Sequence, residues 1–184
     1  MTPILVQQIA LDHFDRLRFQ ARFLRHWHRL RCRPQNLLPL APIRDRLLHS
    51  RAFPQGTQMV PVRQIVGSLQ RTLDYDRQFR PLNDGLRSRW VGVRVLNETV
   101  GWKPVDLVRV GNLYFVVDGH HRVSVARHSG QARVEATVNS YPLPVEFNVD
   151  DSLADVFNRL HMYYRANDEE STAMANYADI AATV

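Results

Sequence analysis

The chain has 184 residues, of which 45% are hydrophobic, and it carries a formal net charge of +6. These values are typical of a soluble globular protein with one domain plus extensions, or with two small domains. The longest apolar run is Leu113 to Val117, so the sequence predicts no transmembrane helix. The single cysteine, Cys32, excludes an internal disulfide and a cysteine-rich zinc site. No signal-peptide pattern is present, and we therefore expect a cytoplasmic protein without a membrane partner.

Charge is distributed unevenly along the chain. Residues 1–55 contain ten Arg and three Asp, whereas residues 142–184 contain eight acidic residues and two Arg. The N-terminal half, residues 1–94, contains 17 Arg and six Asp, and such a basic half indicates an anionic partner, either a nucleotide or a nucleic acid. Two other interpretations stay open. The basic and acidic flanks can pair within one chain, or the basic N-terminal helix of one subunit can dock the acidic tail of another in a homodimer.

The first segment, residues 1–55, is predicted to be a basic helical extension. Pro3 follows Thr2, as is typical of a helix start, and Pro34 ends the helical pattern. Apolar residues recur at helical spacing, with an aromatic ridge beside them: Phe14, Leu17, Ala21 and Leu24, then Phe19, Phe23 and Trp27. Residues 34–56 predict a Pro-rich connector with one short helix at 43–49.

Four arginines of this helix repeat on one face, at Arg18, Arg22, Arg25 and Arg29. Such a stripe can contact the phosphates of a nucleic acid, which would make the chain a nucleic-acid-binding module. It can also be the solvated face of an amphipathic helix whose aromatic side packs on the core. We favour the second interpretation, because a single basic stripe on a helix is common and unspecific.

The middle segment, residues 56–141, shows the pattern of a small mixed α/β (α+β) domain. A strand is predicted at 59–66, a charged loop at 71–81, and a helix at 84–97 capped by Asn83, with four residues inward: Leu86, Trp90, Val93 and Leu96. Strands at 105–110 and 113–117 flank Gly111-Asn112, a hairpin signal, and we expect the second strand to be buried on both faces. A helix ended by Gly130 and a strand at 133–138 follow.

The last segment, residues 142–184, is predicted to be an acidic helical extension. Asp150 or Ser152 can cap a helix from Leu153 to about Arg165. Beyond it, the tail with Asp168-Glu169-Glu170 is either helical or frayed.

The chemistry is predicted at the turn Asp118-Gly119-His120-His121-Arg122, where a buried strand ends and a helix begins. Free backbone N–H groups at a helix start, together with the helix dipole, form a phosphate site. Gly119 lets an anion approach closely, and Arg122 adds a forked donor. His120 and His121 can donate to phosphate or act as acid or base, and Asp118 can orient a His or hold Mg²⁺.

The same turn allows other interpretations. It is neither a Walker P-loop, since Gly-Lys-Ser/Thr is missing, nor a Rossmann fingerprint, since two glycines are missing. Asp118, His120 and His121 could bind a transition metal if another element supplied a further ligand. In a purely structural interpretation, Asp118 caps the helix and the two His satisfy local hydrogen bonds.

Residues 57–141 resemble the ParB/sulfiredoxin superfamily domain, as a DGHHR variant of the ParB N-terminal-like domain of bacterial proteins. The resemblance includes the strand Val60 to Val66, the Phe79-Arg80-Pro81 loop, and Lys103-Pro104-Val105 leading through the hairpin into the turn at 118–122. It implies an α/β fold and nucleotide binding, with ATP or CTP as the nucleotide.

Carried over by position, the resemblance implies that Gly119, His121 and Arg122 hold phosphates and that Arg77 and Arg80 close over them. His120 stands where sulfiredoxin has its reactive Cys, so sulfinic acid reduction is not expected. Since residues 142–184 are acidic, we do not expect them to form the helix-turn-helix domain that partition proteins need, and we do not expect specific centromere binding. Any NTP hydrolysis or phosphotransfer would require Mg²⁺, with Asp118 as the nearest ligand or base and Asp74, Asp76 and Asp84 as weaker candidates.

Overall fold

The computed structural model describes residues 3–29, 36–47 and 51–181. Within these ranges the helices are α1 (Pro3–Arg29), α2 (Leu40–Arg44), α3 (Arg87–Thr99), α4 (His120–His128) and α5 (Leu153–Ala181). The strands are β1 (Leu38–Pro39), β2 (Phe53–Pro61), β3 (Ile65–Ser68), β4 (Val105–Val110), β5 (Leu113–Asp118) and β6 (Arg133–Tyr141). A mixed sheet with packed helices confirms the predicted α+β class. None of the helices in these ranges is long and apolar enough to cross a membrane.

The six strands form one sheet in the order β1-β3-β5-β4-β6-β2. Strands β1, β3 and β5 are parallel neighbours, as are β4 and β6, whereas β4 runs antiparallel to β5 and β2 runs antiparallel to β6. The predicted hairpin is present between β4 and β5, with Gly111 at a φ of +58°. The Asn112 side chain exchanges two hydrogen bonds of 2.8 Å with the Phe147 backbone, which fixes the chain after β6 to this turn.

The two faces of the sheet enter separate cores. Tyr114 and Val116 of β5 pack with α1, α3 and α4, whereas Leu113 and Phe115 pack with α2 and the first turns of α5. This alternation follows from the two-residue period of a strand. Helices therefore cover both faces, and α1 shares the core of the strands that carry the site.

The sequence prediction of one strand at 59–66 is wrong. The chain instead forms β2, a 3₁₀ turn at Val62–Gln64, and β3. Pro61 ends β2, and the Val62 N–H donates to Ala132 O at 3.0 Å as the chain leaves the edge for the middle of the sheet. Since β2 begins at Phe53, it also occupies part of the predicted connector, and the boundary drawn at residue 56 falls inside a strand.

Three further expectations about local structure differ from what is observed. Val117, in the strand expected to be buried on both faces, is 39% exposed. Asn83 does not cap its helix with its side chain, which donates to Asp74 instead. Leu96 is exposed rather than inward, whereas Leu86 and Trp90 are buried as predicted.

Helix α1 packs on the domain through one apolar stripe, but its aromatic ridge does not. Ala10, Phe14 and Leu17 are buried in the core, whereas Phe19 and Phe23 are 71% and 62% exposed. The expectation that the aromatic side packs on the core is therefore wrong for this ridge. Within the Arg stripe, Arg18 forms an ion pair with Asp84. The side chain of Arg29 is not among those that the structure describes. The predicted helix end at Pro34 also lies outside the described residues, as does Cys32.

Ser152 is the residue that caps α5. Its hydroxyl accepts from the Asp155 N–H at 3.2 Å, while the Asp155 carboxylate accepts from the Ser152 N–H at 2.8 Å. This reciprocal pair is a capping box, here with Asp as the returning acid. The helix extends past the predicted end near Arg165 to Ala181. Side chains from Asp168 onward are not described, so the predicted docking of the acidic tail lies outside the described part of the chain.

Candidate functional site

The turn predicted from sequence lies where β5 gives way to α4, on the buried middle of the sheet. Gly119 is the N-cap of α4 and has a φ of +99°, a conformation that side-chain-bearing residues rarely adopt. A Cβ atom at this position would lie 2.7 Å from Val105 Cγ1 and 3.0 Å from the Arg122 guanidinium. The helix carries no side-chain cap, so Asp118 does not cap it as the structural interpretation of the turn supposed.

Gly119→Ala is therefore expected to lower the free energy of unfolding by about 2 kcal/mol, from left-handed backbone strain plus the close contact with Val105. Urea unfolding measures the change. The matched control is Gly92→Ala, in the exposed interior of α3, where a Cβ meets nothing within 4 Å and removal of glycine stabilises by about 0.5–1 kcal/mol. Equal effects of the two substitutions would contradict the assignment of strain to Gly119.

Arg122 clamps the turn to the start of β4. Its Nη1 donates to Lys103 O at 2.7 Å and to Pro104 O at 2.6 Å, and its Nη2 donates to Asp118 Oδ2 at 2.5 Å. The guanidinium is thus held by three acceptors in a fixed orientation beside Gly119. A guanidinium placed in this way keeps its charge at the turn without losing side-chain entropy when a ligand binds.

His120 is fixed by Ser68, the last residue of β3. The Ser68 Oγ lies 2.6 Å from His120 Nε2 and accepts hydrogen bonds from the N–H groups of Gln70 and Arg71. Since those two donors occupy its lone pairs, the hydroxyl proton is left for the imidazole, and His120 Nε2 acts as the acceptor. Ser68 is fully buried, so this pair supports the turn and is not placed to attack a substrate.

His121 is fixed by Tyr75 from the charged loop. The Tyr75 hydroxyl lies 2.9 Å from His121 Nδ1, and the phenol ring stacks on His120 at a centroid distance of 6.4 Å. Burial raises the pKa of Tyr75 well above its ordinary value, so the phenol keeps its proton and can donate it to Nδ1. The neutral ring of His121 then carries its own proton on Nε2.

Both imidazoles are neutral at pH 7. Burial is the main cause that lowers the pKa of His120 and of His121 to about 4, and the nearby Arg71 contributes to both shifts. Arg89 lowers the pKa of His121 further. The pair therefore offers hydrogen-bond donors and acceptors rather than positive charge, and any attraction for an anion comes from arginine and lysine.

A cavity of about 830 Å³ opens above the turn. Its floor is the stretch from Val117 to Arg122, and its wall is the face of α3 that carries Arg89, Val93 and Leu96. Trp102 and Lys103 close it from the segment before β4, and Arg71 closes it from the loop after β3. Asp118, Gly119, His120, His121 and Arg122 are thus brought together as the sequence predicts.

Arg77 and Arg80 do not line the cavity, which contradicts the expectation that they close over the turn. Arg77 is 8% exposed and donates to the Val149 and Asp151 carbonyls at 2.9 and 2.8 Å. Arg80 pairs with Asp76 at 2.7 Å. The Arg77 carbonyl also accepts from Arg127, so this part of the loop lies along the C-terminal end of α4, away from the cavity.

The cavity does not contain the donor set of a resident metal ion. Asp118 is its single carboxylate, and one of its oxygens already accepts from Arg122. No group of three or more His, Cys, Asp or Glu side chains suited to a metal occurs among the described residues. Asp74, Asp76 and Asp84 each pair with an arginine: Arg71, Arg80 and Arg18. A magnesium ion at this turn would need most of its oxygen ligands from phosphates and water.

Sequence reasoning missed Arg71, Arg89 and Trp102 as site residues, and Ser68 and Tyr75 as their support. The signal for the α3 wall was present, since Arg89, Val93, Leu96 and Val100 follow one another at helical spacing. The sequence pattern instead predicts that Val93 and Leu96 lie inward with Trp90, and of these three only Trp90 is buried. Comparisons with protein-family models, with curated proteins and with solved structures found no match.

Proposed function

We propose that the cavity above the 118–122 turn binds a nucleotide, ATP or CTP, and contacts both the phosphates and the base of that nucleotide. The observation that carries the proposal is the meeting of two chemically different walls in one cavity, a cationic helix N-terminus and an apolar helix face. A volume of about 830 Å³ is within the range of small-molecule sites. An inorganic anion would use only the first wall, and an uncharged apolar ligand only the second.

The phosphate end is the turn itself. The first N–H groups of α4 have no partner inside the helix, and the helix dipole adds partial positive charge at the same place. Four cationic side chains line the cavity against one carboxylate, namely Arg71, Arg89, Lys103 and Arg122 against Asp118. The resemblance of the turn to the phosphate-binding turn of ParB and sulfiredoxin proteins supports the same assignment, with Arg71 and Arg89 in place of Arg77 and Arg80.

The base end is the apolar wall formed by Val93, Leu96 and Trp102. Stacking of a nucleobase on an aromatic side chain contributes about 1–3 kcal/mol and tolerates any base, because every base has a π-face. For hydrolysis or phosphotransfer, Asp118 is the nearest base or magnesium ligand, and His120 and His121 are the acid–base candidates. Their rings are neutral at pH 7, so they would act by donating or accepting a hydrogen bond.

A thermal-shift measurement with ATP, CTP, GTP and ADP, with and without Mg²⁺, tests the proposal. A ligand at about 100 times its Kd stabilises by about 2.7 kcal/mol, which corresponds to a rise in Tm of roughly 5–10 °C for a chain of this size. We expect Arg89→Ala and Arg71→Ala to lose most of this rise. Arg63→Ala, an exposed arginine outside the cavity, is the matched control and should keep it.

Tryptophan fluorescence tests the base end separately. Stacking of the base on Trp102 is expected to quench the emission of the protein, and Trp102→Phe should abolish the quench, whereas Trp27→Phe on α1 should retain it. Absence of a thermal shift with every nucleotide, or an unchanged shift in Arg71→Ala and Arg89→Ala, would refute nucleotide binding at this cavity.

A further inference from the structure

Helix α1 has two apolar faces on opposite sides. The first contains Ala10, Phe14, Leu17 and Ala21 and is buried against the domain. The second contains Leu5, Ile9, Phe19 and Phe23, whose exposed fractions lie between 41% and 71%. With about 100° of rotation per residue, the centres of the two faces are separated by roughly 150° around the helix. A helix needs only one apolar face to pack on its own domain, so the second is available to another molecule.

The second face has the spacing of a coiled-coil seam. Its members are Leu5, Ile9, Asp12, Arg16, Phe19 and Phe23, at intervals of four, three, four, three and four residues. This alternation is the heptad pattern, which presents one continuous line to a facing helix. Asp12 and Arg16 are exposed at the middle of the seam, so one pair of charged residues separates the apolar residues at its two ends.

We propose that this seam joins two copies of the chain through an antiparallel pairing of their α1 helices. In an antiparallel pair centred near residue 14, residue i lies opposite residue 28 − i of the other helix. With this register, every residue of the seam lies opposite another residue of the seam. Leu5 meets Phe23 of the partner subunit, and Ile9 meets Phe19 of the partner subunit. At the centre, Asp12 meets Arg16 of the partner subunit, and the two-fold axis repeats this ion pair.

The charged pair of Asp12 and Arg16 selects this arrangement over a parallel one. In a parallel pair each Asp12 would face another Asp12 and each Arg16 another Arg16, which places like charges together at the core of the seam. It also argues against other occupants of this face. The Asp12 carboxylate at the centre of the seam repels the phosphates of a nucleic acid and is costly to bury in a lipid surface.

Sedimentation equilibrium of the full chain tests the proposal. We expect a mass near twice the 21.4 kDa of one chain. The double substitution Phe19→Glu with Phe23→Glu should leave folded monomers, since both side chains are more than 60% exposed in one chain. The control is Leu73→Glu, which is 72% exposed in the charged loop and should leave the dimer intact. Circular dichroism and the thermal melt of each variant establish that it is folded.

Charge reversal tests the register. Asp12→Arg alone and Arg16→Asp alone should each weaken the dimer at least tenfold, because each sets like charges against one another. An equimolar mixture of the two variants should recover the dimer as a heterodimer, in which every central contact again joins Arg to Asp. A salt bridge within one helix cannot produce this recovery. Glu169→Lys with Glu170→Lys should leave the mass unchanged, and dissociation by that pair would overturn the proposal in favour of docking by the acidic tail.

Two further results would overturn the pairing of α1 helices. One is a wild-type chain that stays monomeric at every concentration at which it is soluble. The other is a wild-type dimer that dissociates when it binds a fluorescent single-stranded oligonucleotide and a Phe19→Glu, Phe23→Glu variant that no longer binds it, which would assign the seam to nucleic acid. Neither result depends on the cavity, so nucleotide binding at the 118–122 turn stands or fails separately.

Discussion

Acidification from pH 7 to pH 4.5 is expected to lower the free energy of unfolding by about 4 kcal/mol through His120 and His121 alone. Burial lowers the pKa of each imidazole from 6.5 to about 4. Between these two values the unfolded chain binds more protons than the folded chain, so stability falls as the pH falls. The contribution of the two neutral rings is complete above pH 6.5 and is lost as the pH approaches 4.

The expected size follows from about 1.36 kcal/mol for each pKa unit, reduced because water still reaches part of each ring. His128 acts in the same direction, since burial also lowers its pKa to about 4. The carboxylates Asp84 and Asp155, whose pKa values are lowered by their hydrogen bonds to Arg18 and Ser152, contribute at lower pH. The loss between pH 6.5 and 4.5 is therefore assigned to histidine.

Urea unfolding at a series of pH values measures this slope. His121→Phe removes one titrating group, so the slope between pH 4.5 and 6 should fall by up to about 1.4 kcal/mol per pH unit, whatever the substitution does to stability itself. His161→Phe, on the exposed side of α5, is the matched control for replacing an imidazole by a phenyl ring. An unchanged slope in His121→Phe would show that this imidazole is not buried neutral beside Tyr75.

The turn at 118–122 could be predicted from sequence because its determinants are local. A β-rich run followed by Asp-Gly and then by helix-forming residues already specifies strand, left-handed turn and helix. Gly119 adopts a positive φ, and His121 and Arg122 lie at the cavity floor. The α+β class followed in the same way from the order of strand and helix patterns.

The rest of the site depends on tertiary packing, which sequence periodicity does not contain. Within the loop at 71–81, Arg71 faces the cavity and Arg77 faces the chain near Val149, and no local signal distinguishes them. The same limit applies to α1, where two apolar faces compete to pack on the domain. Periodicity shows both faces, but only the shape of the core selects the one with Phe14 and leaves Phe23 exposed.

Trp90→Ala is expected to destabilise the protein by about 4 kcal/mol, which is the usual range for truncation of a buried tryptophan. The side chain is fully buried on α3 and lies at the junction of three helices. Its indole Nε1 donates to Ser124 Oγ of α4 at 2.8 Å, and its ring packs on Phe14 of α1 at a centroid distance of 5.7 Å. The substitution therefore leaves a cavity and removes the bond that positions α3 against α4.

The consequence for function follows from the neighbours of Trp90 on the same helix. Arg89 and Val93 form the wall of the cavity, so a shift of α3 moves a cation and the apolar surface away from the 118–122 turn. Trp90→Ala should accordingly fold but no longer bind nucleotide, so nucleotide should not raise its Tm. Urea unfolding gives the stability change, and the thermal shift gives the loss of binding.

Two milder variants separate packing from hydrogen bonding. Trp90→Phe keeps most of the buried apolar surface and is expected to cost about 1–2 kcal/mol through the lost indole donor. Ser124→Ala removes the acceptor of that donor and also the hydroxyl that donates to Phe79 O at 2.7 Å, so it should cost at least as much as Trp90→Phe. Trp90→Ala within about 1 kcal/mol of wild type, with nucleotide binding retained, would show that α3 is held on α4 by other contacts.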